Sequence, residues 1–175
     1  ALFDHEVDGL DNFASITVAA AWLDEVEKFD LKIGKAGDPL VLARKRLEGA
    51  TYPKMVVGST PLEKVGSIVE AQRLAAEIDL RYHIACPHCG EDHPLVWGGP
   101  GAAYGLTWTK GHPEGVRHVC PHCGAEIAQA DYLACADVGR WKSQAGTWLD
   151  DAGRFRSASG SVLRTPASVG VHIWS

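Results

Sequence analysis

The pentapeptide Cys-Pro-His-Cys-Gly occurs twice in this chain, at 86–90 and again at 120–124, and nothing else in the sequence restricts the fold as much. In each copy two thiols stand three positions apart, and the following glycine (Gly90, Gly124) lets the backbone curl back so that both sulfurs face one point. Cys86, Cys89, Cys120 and Cys123 supply the four thiolates of a closed tetrahedral Zn²⁺ site. Paired knuckles of this spacing read as structural zinc. Three alternatives weigh less. A disulfide framework suits a secreted chain, and nothing in this sequence is secretory. A redox Cys-X-X-Cys is a single motif at a helix start, and iron–sulfur clusters use other spacings. His88 and His122 lie inside the knuckles and read as surface or supporting groups, because the cysteines already fill four positions. Such a zinc holds structure and leaves no open position for chemistry.

The chain of 175 residues is long enough for one ordinary core, or for a small core and a metal-stapled module. No apolar run reaches the length of a membrane span. The chain opens Ala-Leu-Phe-Asp without an initiator Met, which reads as an excerpt of a longer protein. Its net charge of −5 is uneven: residues 1–30 hold eight acids against Lys28, and the remainder is slightly basic. That balance gives no support to a dedicated nucleic-acid clamp. Cys135, the odd thiol, reads as a small apolar residue on a helix face.

In chain order, Ala1-Leu2-Phe3 is a short apolar run that ends in Asp4-His5-Glu6-Val7-Asp8. Acids at the carboxyl end of a buried parallel strand sit where ligands bind, although a plain strand-to-loop transition has the same appearance. Residues 12–29 read as a helix, with Ile16, Ala19, Ala20, Leu23 and Val26 near one face. A loop follows at 34–37. Asp38-Pro39 then starts a helix carrying Arg44, Lys45 and Arg46, of which at least one must point to solvent. Residues 54–58 form a buried-type strand ending in Ser59-Thr60-Pro61, whose hydroxyls either sense a phosphate or cap the next helix. Residues 67–78 read as a helix and 80–84 as a strand leading to the first knuckle. Short strands at 94–97, 106–109 and 116–119 make the region a zinc ribbon, hairpins tied at their tips by metal. A helix over 129–136 follows. Residues 140–164 carry a net +3 with interleaved Trp141, Trp148 and Phe155; surface charge on a loop and hairpin outweighs nucleic-acid contact there. The last segment, 169–174, reads as a closing strand. The whole is an α/β chain, a partial parallel sheet with helices plus a four-cysteine β module.

The order of these motifs resembles the lambda-type (GpA family) large terminase subunits of tailed phages. It comprises an acidic strand end, Gly37-Asp38-Pro39 with Arg46, Val57-Gly58-Ser59-Thr60-Pro61, the double knuckle, Gly139-Arg140-Trp141 and Gly170-Val171-His172. The resemblance spans nearly the whole chain. It implies the later part of a P-loop ATPase domain with a zinc-ribbon insertion, in a motor that couples ATP hydrolysis to double-stranded DNA translocation and genome cutting. The implied division is a partial ATPase core over 1–82, ribbon and following helix over 83–145, and a return to the core over 146–175.

Carried over, the acidic strand end is the Walker B motif, Glu6 orients the attacking water, and Ser59 and Thr60 couple hydrolysis to movement. The family pattern is Asp-Glu-Val-Asp, whereas His5 precedes Glu6 here; Mg²⁺ prefers oxygen, which leaves three options: Asp4 takes its side, the P-loop hydroxyl holds it, or the ATPase is impaired. ATP and Mg²⁺ are the implied cofactors of the intact protein beside structural Zn²⁺. The implied partners are phage DNA, the small terminase subunit, the portal protein and further copies of the chain, in the host cytoplasm and away from any membrane. No Gly-x-x-x-x-Gly-Lys-Ser/Thr occurs in these residues, so this chain alone is expected to hydrolyse no ATP. The competing reading is a non-enzymatic zinc-ribbon module that binds DNA or a protein, which leaves residues 1–80 without a purpose.

Overall fold

The computed structural model describes residues 17–29, 38–61 and 66–173. The chain divides into two compact units, Ala1–Ala71 and Gln72–Ser175. Across the described residues it is a mixed α/β structure with three α-helices and three sheets.

In the first unit Asp38-Pro39 opens a helix, α1 (Pro39–Leu47). Asp38 Oδ1 accepts the Leu40 N–H at 2.7 Å, and a proline at the first position gives up no helical bond. The strand expected around 54–58 forms as β2 (Lys54–Val57). The helix expected over 12–29 does not form in its described part. Ala20–Leu23 is a strand, β1, and a 3-10 turn over Val26–Lys28 follows it.

β1 runs parallel to β2, with Ala20 opposite Lys54 and Leu23 opposite Val57. The run Val18-Ala-Ala-Ala-Trp-Leu23 satisfies a helical or a strand period equally well, since alanine is tolerated on any face. Pairing with β2 decides between them. Leu23 is then buried while its neighbour Trp22 is 72% exposed, because successive side chains point to opposite faces of the strand. Leu23, Val26 and Leu40 form the core of this unit, closed by Phe29, Met55, Val57 and Ile68.

The chain passes between the units in α2 (Ile68–Leu74). It is shorter than the helix expected over 67–78, because Ile78 already belongs to β3 (Ile78–Ala85), opposite Val169. β3 is the central strand of the second unit. β12 (Val169–His172) runs parallel to it, and β9 (Arg140–Lys142) lies antiparallel on the other side. β10 (Trp148–Leu149) and β11 (Phe155–Arg156) continue that sheet, and β4 (Asp92–Pro94) pairs with the end of β3. A second sheet has the order β5 (Trp97–Pro100), β6 (Gly105–Thr109), β7 (His112–Val119) and β8 (Glu126–Ile127), and α3 (Gln129–Asp137) follows.

Two glycines of the family-like motifs have packing reasons. A Cβ at Gly139 would lie 2.5 Å from the Tyr82 ring, and one at Gly170 would lie 2.8 Å from the Arg73 backbone carbonyl oxygen. The cations of 140–164 are engaged within the chain. Arg154 and Arg156 both bond Asp150, Lys142 pairs with Asp92, and the Arg140 guanidinium lies 4.6 Å over the Trp148 ring. Trp141 packs edge-on against Tyr82, and Phe155 is buried. These partners favour the structural reading of that segment over nucleic-acid contact.

Candidate metal centre and acidic strand end

The two knuckles are the tips of two hairpins with matching geometry. The first lies between β3 and β4, the second between β7 and β8. In the first, Cys86 N–H donates to Glu91 O at 3.0 Å and Gly90 N–H to Cys86 O at 2.8 Å. In the second, Cys120 N–H donates to Ala125 O and Gly124 N–H to Cys120 O, both at 3.0 Å. Gly90 (φ 76°) and Gly124 (φ 71°) turn left-handed at the same place, a conformation that favours glycine.

The four sulfurs of Cys86, Cys89, Cys120 and Cys123 all lie within 4.8 Å of one another and could hold a metal ion. Cys86 and Cys123 sulfurs are 3.8 Å apart, Cys89 and Cys120 3.9 Å. A tetrahedral ion with bonds of about 2.3 Å to sulfur requires sulfur pairs about 3.8 Å apart, so the donor set fits Zn²⁺ in both softness and spacing. Crowding spreads the acidities of these thiols. Against the burial that raises it, N–H groups of Cys89 and His88 bring the Cys86 thiol down to about 6. Cys89, which the Glu91 N–H lowers, is nevertheless pushed up to about 12 by burial and by the three neighbouring thiols. Without a cation the second thiolate is resisted; with one, all four can ionise.

Sequence reasoning missed the packing beneath this centre. His93 and His118 are each 2% exposed, and their Nε2 atoms are 3.1 Å apart. Burial, and then the proximity of His93, press His118 down to about 4, so both rings are neutral. His93 Nδ1 faces Glu91 O at 3.3 Å, which makes it the donor there and leaves His93 Nε2 as the acceptor from His118. His118 Nδ1 is then a bare lone pair, in agreement with its lack of a hydrogen-bond partner. The sequence reading of 116–119 as a short strand carried no sign of this pair, because His93 and His118 come from strands of different sheets. His88 and His122 are exposed, and Cys135 is half-buried in α3.

The first unit holds a second cluster. Asp4, His5 and Glu6 lie outside the described residues. Ser59 and Thr60 follow β2, and because β1 is parallel to β2, Asp24 and Glu25 emerge at the same end. Gly58 N–H donates to Leu23 O at 2.9 Å and Val26 N–H to Gly58 O at 3.3 Å, which holds the two strand exits together. A Cβ at Gly58 would lie 3.8 Å from Asp24 Oδ1. Glu25 has φ 52° and ψ 41°, the one non-glycine residue with positive φ among those described. Its N–H donates to Asp24 Oδ1 at 2.9 Å, and its carboxylate meets Lys28 Nζ at 2.5 Å. A glutamate in this region costs about 1 kcal/mol or more, and such strain concentrates at functional positions. Asp24-Glu25-Val26-Glu27 was available in the sequence as an Asp-Glu-Val-acid pattern after an apolar run, hidden by the helix reading of 12–29.

Both sites, and the order in which they occur, define a class. Residues 2–141 match the family model described as "Phage terminase large subunit gpA, ATPase domain", and the chain belongs to that family. The large terminase subunit of Escherichia phage lambda is 37% identical over 166 residues, 94% of this chain and 25% of that protein. The large terminase subunit of Enterobacteria phage P21 is 34% identical over 165 residues, with the same coverage. The chain thus spans about a quarter of the length of the curated relatives it matches. No solved structure matches it significantly. Among the described residues no helix is long and apolar enough to cross a membrane.

Proposed function

We propose that this chain is the later part of the ATPase domain of a phage DNA-packaging motor, with Glu25 as the carboxylate that orients the attacking water. The observation that carries the reading is the left-handed backbone at Glu25, next to Asp24 and bolted to the strand exit that bears Ser59 and Thr60. In this reading β1 and β2 are neighbouring strands of a P-loop-type sheet, and ATP binds beyond their carboxyl ends. Asp24 takes the Mg²⁺ side, where the ion supplies charge neutralisation of the phosphates, and Ser59 and Thr60 couple hydrolysis to movement. The Lys28 ion pair with Glu25 is exposed on both sides, so it is weak and leaves the carboxylate available. Asp24 and Glu25 take these roles in preference to Asp4 and Glu6 because they follow an Asp-Glu-Val pattern and share a strand end with Ser59.

Cys86, Cys89, Cys120 and Cys123 hold a structural Zn²⁺ in this proposal. Double-stranded DNA, the small terminase subunit and the portal are the partners of the intact motor in the host cytoplasm. The test is DNA-stimulated ATP turnover of the complete protein. Glu25→Gln is expected to lower it about a hundredfold or more, a few kcal/mol of barrier, with Glu6→Gln close to wild type. A Glu25→Gln protein as active as wild type overturns the assignment, and loss in Glu6→Gln alone transfers it to the earlier acid.

A further inference from the structure

Glu27 is the fourth residue of the Asp-Glu-Val-acid run. It sits in the 3-10 turn after β1, beside Val26, which is 1% exposed and anchors the turn in the core. Its backbone N–H donates to Ser59 Oγ at 3.2 Å. Its side-chain Oε1 accepts two bonds, from the Ser67 hydroxyl at 2.7 Å and from the Val69 N–H at 2.8 Å. Ser67, itself 6% exposed, accepts the Glu70 N–H at 3.1 Å. One residue therefore touches the end of β2 through its backbone and the first turn of α2 through its carboxylate, across 32 and 40 residues of sequence.

We propose that Glu27 is a positioning residue that ties Ser59 to the start of α2, so that displacement of the β2 exit during ATP turnover moves α2 with it. The proposal rests on the ATPase reading above. The tie has little slack. The turn is bonded to β2 at two successive residues, since Gly58 O accepts from Val26 and Ser59 Oγ from Glu27. On the other side, both bonds to α2 converge on one oxygen of a carboxylate, and bonds to an ionised acceptor are short and strong. Ser59 keeps its own hydroxyl proton while accepting from Glu27, so it can donate to a phosphate oxygen without leaving the tie. Capping alone would be served by a nearby serine or aspartate, without a carboxylate from a different strand exit.

The experiment compares the complete, zinc-loaded protein with its Glu27→Ala, Glu27→Gln, Ser67→Ala and Glu25→Gln variants. Glu27→Ala is expected to lower DNA-stimulated kcat roughly tenfold with KM for ATP changed less than about twofold. Glu27→Gln, which keeps an acceptor oxygen, should recover about half or more of that kcat. In wild type, hydrogen exchange over residues 67–71 should change when a non-hydrolysable ATP analogue is added; in Glu27→Ala that response should vanish. Should Glu27→Ala fail to fold, Ser67→Ala, which deletes one hydroxyl, carries both readouts with a smaller loss. Wild-type kcat and analogue response in Glu27→Ala, beside an inactive Glu25→Gln, overturn the tie while sparing the ATPase reading, and equal impairment of the Gln and Ala variants overturns it too. If Glu25→Gln is fully active the ATPase reading falls, and the analogue response over 67–71 alone decides the tie: lost in Glu27→Ala supports it, retained overturns it.

Discussion

The four-cysteine hairpins and the acidic strand end organise their polar groups in opposite ways. In the ribbon each half of the site is local: two cysteines and a glycine within five residues make a knuckle, and the fold only has to bring two finished knuckles together. Its buried cluster is small, Cys86, Cys120 and Ile127 with Tyr132 against it, so a metal held by the four cysteines would supply what the core does not. At the strand end no short segment is a site. Asp24, Glu25 and Ser59 meet because β1 and β2 pair in parallel over a core of Leu23, Val26 and Leu40. The lesson is that a metal centre survives mistakes about the surrounding elements, while a site built on strand register does not.

That contrast predicts unequal responses. The largest effect should come from metal removal. A bound Zn²⁺ would be worth roughly 10–16 kcal/mol apparent, lost with a strong chelator or in Cys120→Ser. Exchange protection over 86–127 should collapse, while that of α1 and β2 persists; simultaneous loss in both regions would break the comparison. Metal rebinding near neutral pH should release protons, read by a pH indicator, because the thiols of Cys89 and Cys120 are held protonated by burial and by neighbouring thiols of the cluster.

Next in size, Leu23→Ala should destabilise the first unit by about 2–5 kcal/mol through the cavity it leaves. Metal affinity should be unchanged, as measured by competition with a chromophoric chelator. Asp38→Ala removes the cap of α1 and should cost about 1 kcal/mol in a denaturant titration.

The smallest effect is the acid limb at Asp150, in the sheet beside the ribbon. The Arg154 N–H, with Arg156 and Arg154 side chains, holds this carboxyl down to about 2. The folded state therefore binds fewer protons than the unfolded one between that value and the ordinary 3.8. Its stabilisation is complete above that window and is lost as pH falls through it. Asp150→Ala should lower the melting temperature modestly at neutral pH and flatten its decline on acidification. An unchanged acid limb would show that Arg154 and Arg156 do not act through Asp150.

Local chemistry was legible in the sequence. The twin Cys-Pro-His-Cys-Gly knuckles, the Asp38-Pro39 helix start and the strands at 54–58 and 80–84 are each set by a few neighbouring residues with specific turn, cap or period requirements. The same local signals carried the family resemblance that the comparisons bear out. Tertiary structure decided the rest. Val18-Ala-Ala-Ala-Trp-Leu23 fits two periods, and only pairing with β2 made it a strand and brought Asp24 and Glu25 beside Ser59. Ile78 left the helix because Val169 of β12, 91 residues later, offers it a ladder partner. His93 and His118 became a buried pair because two sheets close on them. Alanine, isoleucine and histidine are permissive locally, so their fate is fixed by contacts distant in sequence, whereas cysteine knuckles, caps and left-handed glycines carry their geometry with them.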